Sequence, residues 1–156
     1  MRFLCVGLWL FLFTPCDPVA AASDRLQILQ ISQAYLRQMP PGQSVTSAYL
    51  VLSNRGDAVC TLVDAVIDLA DRIEFHRHTY VDGVMQMRRV DQLLVAPGED
   101  LIFQPGGLHM MVFNPDRIAL KKRPAKLTLR TLNCGEVVTA IPLRHRSKKT
   151  TGWRIK

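Results

Sequence analysis

The sequence predicts an all-β fold, an antiparallel Greek-key sandwich or small barrel, and three observations carry that expectation. Apolar residues come in short runs separated by turn residues at close intervals. No stretch sustains a long helical period. The chain of 156 residues, 48% of them hydrophobic, has room for one such domain with a buried core.

Taken in order, the candidate strands are 26–38 (in one piece or two), 46–54, 59–68, 72–80, 84–90, 100–104, 109–114, 125–133 and 136–143. The breaks carry turn chemistry: Pro40-Pro41-Gly42, Asn54-Arg55-Gly56-Asp57, Asp82-Gly83, Pro97-Gly98, Pro105-Gly106-Gly107 and Asn133-Cys134-Gly135. Residues 65–72 show some apolar spacing of three and four, enough for one short helical turn. Repeats and low-complexity segments are absent from the sequence.

The first 22 residues read as an export leader. Met1-Arg2 supplies the positive charge, Phe3–Phe13 an apolar run too short to span a bilayer comfortably, and Val19-Ala20-Ala21-Ala22 a small-residue cleavage site. An uncleaved anchor is the alternative. Cys16 follows Phe13-Thr14-Pro15, a poor context for lipid attachment. The sandwich domain is therefore expected over 23–143, in the periplasm, with no stable membrane insertion of its own.

Export also fixes the redox setting. Cys5 and Cys16 leave with the leader, so Cys60 and Cys134 remain in an oxidising space and read first as a disulfide. A thiolate metal site is the other reading, but neither cysteine has a partner at ligand spacing. The net charge of +7 owes much to the tail, 144–156, which holds six Lys/Arg and no acid. Without aromatic interleaving or a recognition helix, the tail reads as solvated, and no nucleic-acid partner is expected.

Histidine and methionine are distributed unevenly. His76, His78, Met85, Met87, His109, Met110 and Met111 fall in one stretch. In a strand, residues two apart share a face, which pairs His109 with Met111 and turns Met110 inward. The same parity pairs His76 with His78 and Met85 with Met87. The Asp82-Gly83 turn folds 84–90 back onto 72–80, so a cage of two imidazoles and two thioethers at one end of the sandwich is geometrically reasonable. Soft, uncharged thioether with borderline imidazole suits Cu(I), whereas Zn(II) takes thiolate, imidazole or carboxylate and Mg or Ca take oxygen. Core packing by methionine is the competing account of the same residues.

The run E-F-H-R-H over 74–78, D-G-V-M-Q-M-R-R-V over 82–90 and P-G-G-L-H-M-M over 105–111 resembles the PCuAC family of periplasmic copper chaperones. The family signature H-x10-M-x21-H-x-M is met without a gap by His76, Met87, His109 and Met111. Similarity extends over about 26–143, including Ser47-Ala48-Tyr49 and Asn54. The resemblance implies a cupredoxin-like β-sandwich and a Cu(I) site at an exposed end with those four ligands. It further implies delivery of copper to the CuA centre of cytochrome c oxidase or to its assembly factors, so the partners expected are copper donor and acceptor proteins. The basic tail, with His145 alone, departs from the His/Met-rich extension of many members. His78 is read as surface, with an auxiliary Cu(II) ligand or a replacement ligand as the alternatives.

Rival functions are constrained by the same residues. A blue-copper electron carrier needs a Cys thiolate, and none lies within 76–111. A sequestering protein that binds Cu(I) without passing it on is not separable from a chaperone by sequence. For an enzyme there is no G-x-S-x-G, no phosphate loop and no paired-carboxylate cluster.

Overall fold

The computed structural model describes residues 28–144. The leader and residues 145–156 of the tail, His145 included, lie outside them. Strands β1 (Leu29–Arg37), β2 (Val45–Asn54), β3 (Cys60–Ile67), β4 (Arg72–Val81) and β5 (Val84–Val90) come first. They are followed by β6 (Leu93–Val95), β7 (Asp100–Phe103), β8 (Leu108–Phe113), helix α1 (Arg117–Lys122), β9 (Ala125–Thr131), β10 (Glu136–Ile141) and β11 (Leu143–Arg144).

The strands form two sheets, the cupredoxin-like antiparallel Greek-key sandwich that the sequence and its family resemblance predict. The larger runs β11-β1-β2-β8-β4-β5, with β7 on the far half of β2; the smaller runs β10-β9-β3-β6. All pairings are antiparallel except β1 with β11. Leu36, Leu50, Leu52, Phe103 and Met110 from the larger sheet meet Leu62, Ile67, Leu127, Leu129 and Ile141 from the smaller, all fully buried. Each such side chain contributes about 1.5–3 kcal/mol of apolar burial, which is why the alternating strand pattern holds.

Local chemistry explains the turns that matter for the site. Asp82 and Gly83 both have positive φ (51° and 78°), the requirement of the two-residue turn that closes the β4–β5 hairpin. Asn54 is fully buried, and its amide donates to the carbonyls of Ala58 (2.7 Å) and Val95 (2.9 Å), tying the β2–β3 turn to β6. Cys60 opens β3 and Cys134 lies in the β9–β10 turn, with sulfurs at bonding distance and Cα atoms 5.6 Å apart. The cysteine pair expected from the sequence thus joins a strand of the smaller sheet to a hairpin of the same sheet.

Three expectations for the elements need correction. The one helix among the described residues lies at Arg117–Lys122, not within 65–72, where β3 ends and a turn follows. Asp116 caps it by accepting from the N–H groups of Ile118 (3.0 Å) and Ala119 (2.9 Å). The short strand Leu93–Val95 has no counterpart among the expected strands. Residues 136–143 are not one strand: Pro142, which lacks an N–H, separates β10 from β11. The described part of the first candidate, 26–38, holds one strand, Leu29–Arg37, in keeping with one of the two expected forms; its register shifts between Ser32 and Tyr35, with Gln33 at positive φ.

Candidate metal centre

Strand parity sets the faces. Phe75 on β4 lies opposite Met110 on β8, and both are buried between the sheets, Met110 completely. The alternate residues therefore face outward: Glu74, His76, His78 and Tyr80 on β4, and His109 and Met111 on β8. On β5 the register puts Arg89 opposite His76, Met87 opposite His78 and Met85 opposite Tyr80. The four residues of the sequence signature are brought to this one face. They lie on the outward face of the larger sheet, near the 104–107 turn.

His76 is the centre of the group. His109 stands directly opposite it, with ring centroids 6.1 Å apart. Met87 is one diagonal step away, since it pairs with His78. Met111 is one step away along the same diagonal, since it pairs with Glu74. Diagonal neighbours sit about 7–8 Å apart, within reach of long side chains. Met87 is half-exposed while His109 is only 4% exposed, so the group runs from a solvent-facing thioether to a buried imidazole.

Hydrogen bonding fixes which ring nitrogens are free. His109 Nδ1 is 3.0 Å from the carbonyl of Gly107, which can only accept, so Nδ1 carries the proton and Nε2 keeps its lone pair. His76 Nε2 is 2.9 Å from a carboxylate oxygen of Glu74. The hydrogen bond to His76 holds the Glu74 carboxyl below the usual carboxylate range, against some desolvation and helped by Arg72 and Arg89. Glu74 is thus the acceptor, Nε2 the donor, and the lone pair of His76 is on Nδ1. That Nδ1, like the Nδ1 of His78, is buried with no hydrogen-bond partner. Burial pushes the His109 imidazole below its ordinary value of 6.5, opposed by the Gly107 hydrogen bond and assisted by His78 and His76. A neutral imidazole is the form that donates to a metal.

Among the described residues, no group of three or more histidine, cysteine, aspartate and glutamate side chains is placed to hold a metal ion. A metal here would have to draw on the sulfur of Met87 or Met111, which selects a soft ion. Three residues beyond the sequence candidates shape the group: Glu74, the Gly107 carbonyl and Ser47, opposite Met111. Glu74 was within the family-like run, and its place two residues before His76 on one strand face was the signal for it. A backbone carbonyl leaves no such mark. His78, expected at the surface, is partly buried and its ring lies 4.9 Å from that of His109.

Known proteins resemble this chain in family and in fold. A family described as "Putative lipoprotein LpqE-like" matches residues 29–143, and the chain belongs to that LpqE-like family. Its fold is also that of solved PCuAC domains, as the H-x10-M-x21-H-x-M resemblance implied. The copper-bound PCuAC domain from PmoF2 is 19% identical, with a TM-score of 0.61 over 76% of this chain and 93% of that domain. The solution structure of apo-DR1885 from Deinococcus radiodurans is 24% identical, with a TM-score of 0.57 over 90% of this chain and 97% of its own. The CuI-DR1885 structure gives a TM-score of 0.58 at 24% identity, over 80% and 83% of the two chains. No curated protein matches this chain significantly in sequence.

Proposed function

We propose that this member of the LpqE-like family is an extracytoplasmic copper(I) chaperone that holds one ion through His76, Met87, His109 and Met111. The observation that carries the reading is the shared outward face that bears two imidazoles and two thioethers, with the Glu74 and Gly107 hydrogen bonds leaving one ring nitrogen of each imidazole uncommitted. The chemistry of the donors favours the reduced ion, because uncharged sulfur stabilises Cu(I) and no thiolate is needed. The sharing of a fold with copper-bound PCuAC domains supports it.

Delivery follows from the same donors. Thioethers carry no charge, so a partner rich in thiolates can draw the ion off by exchanging one ligand at a time. Met87, half-exposed on the edge strand β5, is the ligand that such a partner meets first. The acceptor proposed is the CuA centre of cytochrome c oxidase or one of its assembly factors, in the periplasm. Export rests on the leader over 1–22 and is in keeping with the lipoprotein description of the family. The mass of the mature chain distinguishes cleavage after Ala22 from lipid attachment at Cys16.

The test is competition with a Cu(I) chelator for the purified mature protein and for Met87→Ala and His109→Ala. Each variant is expected to bind at least tenfold more weakly, about 1.4 kcal/mol. Unchanged affinity in folded variants removes the assignment. Deleting the gene and assaying oxidase activity at low copper then separates the two fates of the ion: a normal oxidase favours sequestration over delivery.

A further inference from the structure

We propose that His78 is a fifth copper donor in this chain, acting beside the four residues of the signature. The inference rests on copper(I) being bound at this face at all. Four features of His78 point to it. It stands directly opposite Met87 across the β4–β5 ladder, closer in register than His76, which reaches Met87 diagonally. Its ring centroid is 4.9 Å from that of His109, against 6.1 Å for His76. Its Nδ1 is buried without a hydrogen-bond partner. Finally, its backbone N–H donates to the Gly107 carbonyl (3.4 Å), the same oxygen that accepts from His109 Nδ1 (3.0 Å). One backbone carbonyl therefore sets both the strand position of His78 and the ring orientation of His109.

His76 is more encumbered. Its Nε2 is committed to Glu74, and ligation by this ring must use Nδ1 alone. Among the described residues no side chain hydrogen-bonds to either ring nitrogen of His78, so rotation about its side-chain bonds can present a lone pair towards Met87 and His109. Cu(I) is satisfied by two to four donors. With five on one face, the ion can exchange one ligand for another without leaving the protein, which is the property that stepwise transfer requires. His78, Met87 and His109 would form one such set, and His76 with Met111 would complete the other around the shared His109.

The experiment has two arms. In the first, the unmodified protein is labelled with ¹⁵N-histidine and titrated with Cu(I) under anaerobic conditions. The ring nitrogens of His78 are expected to shift on coordination along with those of His76 and His109; a His78 ring unmoved by one equivalent of Cu(I) overturns the proposal. In the second, His78→Ala, His78→Gln and His76→Ala are compared by chelator competition, with folding checked by near-ultraviolet circular dichroism. Both His78 variants are expected to bind at least tenfold more weakly. The double variant His78→Ala with Met87→Ala is expected to lose less than the product of the single losses, because both side chains serve one ion. His78 variants within twofold of the unmodified chain, beside a His76 variant that loses tenfold, would overturn the proposal and leave the four-ligand reading standing. An unmodified chain that takes up no Cu(I) overturns both.

Discussion

Replacing Glu74 with alanine probes how the protein prepares His76. The carboxylate accepts from His76 Nε2 at 2.9 Å, and both side chains are largely buried, at 17% and 13% exposure. A hydrogen bond to a charged group in such a setting is worth about 1.5–3 kcal/mol. Arg72 (3.3 Å) and Arg89 (3.7 Å) also hold the carboxylate, but they are 61% and 63% exposed, so solvent screens their share. Without Glu74 the His76 ring is free to rotate and to place its proton on either nitrogen. Loss of an outer carboxylate partner of this kind typically weakens metal binding 10–100-fold, or about 1.4–2.7 kcal/mol. Chelator competition at neutral pH measures it. Glu74→Gln keeps an acceptor oxygen and is expected to lie between alanine and the native residue. A folded Glu74→Ala protein with native Cu(I) affinity would refute the argument that this hydrogen bond orients the ligand.

Three more outcomes follow from the structure. The Cys60–Cys134 link spans a sequence separation of 74, for which loop entropy gives roughly 4.5 kcal/mol, and removing a native link typically costs about 2–5 kcal/mol. The Cys60→Ala, Cys134→Ala double variant should lose that much in denaturant unfolding while keeping its Cu(I) affinity, since the link lies in the sheet opposite the site. Met110 and Met111 are adjacent but face opposite ways: Met110→Leu should leave Cu(I) affinity within about twofold and cost under about 1.5 kcal/mol of stability, whereas Met111→Leu should weaken binding tenfold or more. His109 is held below its ordinary value of 6.5, first by burial. Its unfolded form therefore takes up a proton before the folded form does, and its contribution to stability is present above about pH 6.5 and lost as the pH falls towards the folded value. Thermal unfolding between pH 7.5 and 5.5 should show a drop that His109→Gln lessens; the carboxylates held low, Glu74 and Asp68, titrate below that window.

Strand content was legible because the turns are chemically explicit, as at Asp82-Gly83, where both residues take positive φ. Parity then put the four candidates on one face, since one buried Met110 between His109 and Met111 decides which way its neighbours point. Other features left weaker marks. Helix α1 spans six residues and buries a single one, Leu120, too few for a period to emerge; its cap Asp116 and the following Pro124 were the available signals. Leu93–Val95 spans three residues, below the length at which alternation can be recognised. His78 was read as surface because strand parity gives the face of a residue and not what covers it; the 104–107 turn, whose Gly107 carbonyl accepts from the His78 N–H, lies against it. The Gly107 carbonyl, which sets the His109 proton, belongs to the backbone and is invisible to any motif.

Whether the four side chains share one ion is read by X-ray absorption on the purified mature protein loaded with one equivalent of copper under reducing conditions. One Cu(I) per chain is expected in a mixed shell of imidazole nitrogen and thioether sulfur, lost together with its sulfur scattering in a Met87→Ala, Met111→Ala variant. Copper bound through nitrogen and oxygen alone, or a sulfur shell unchanged by those two substitutions, would contradict it.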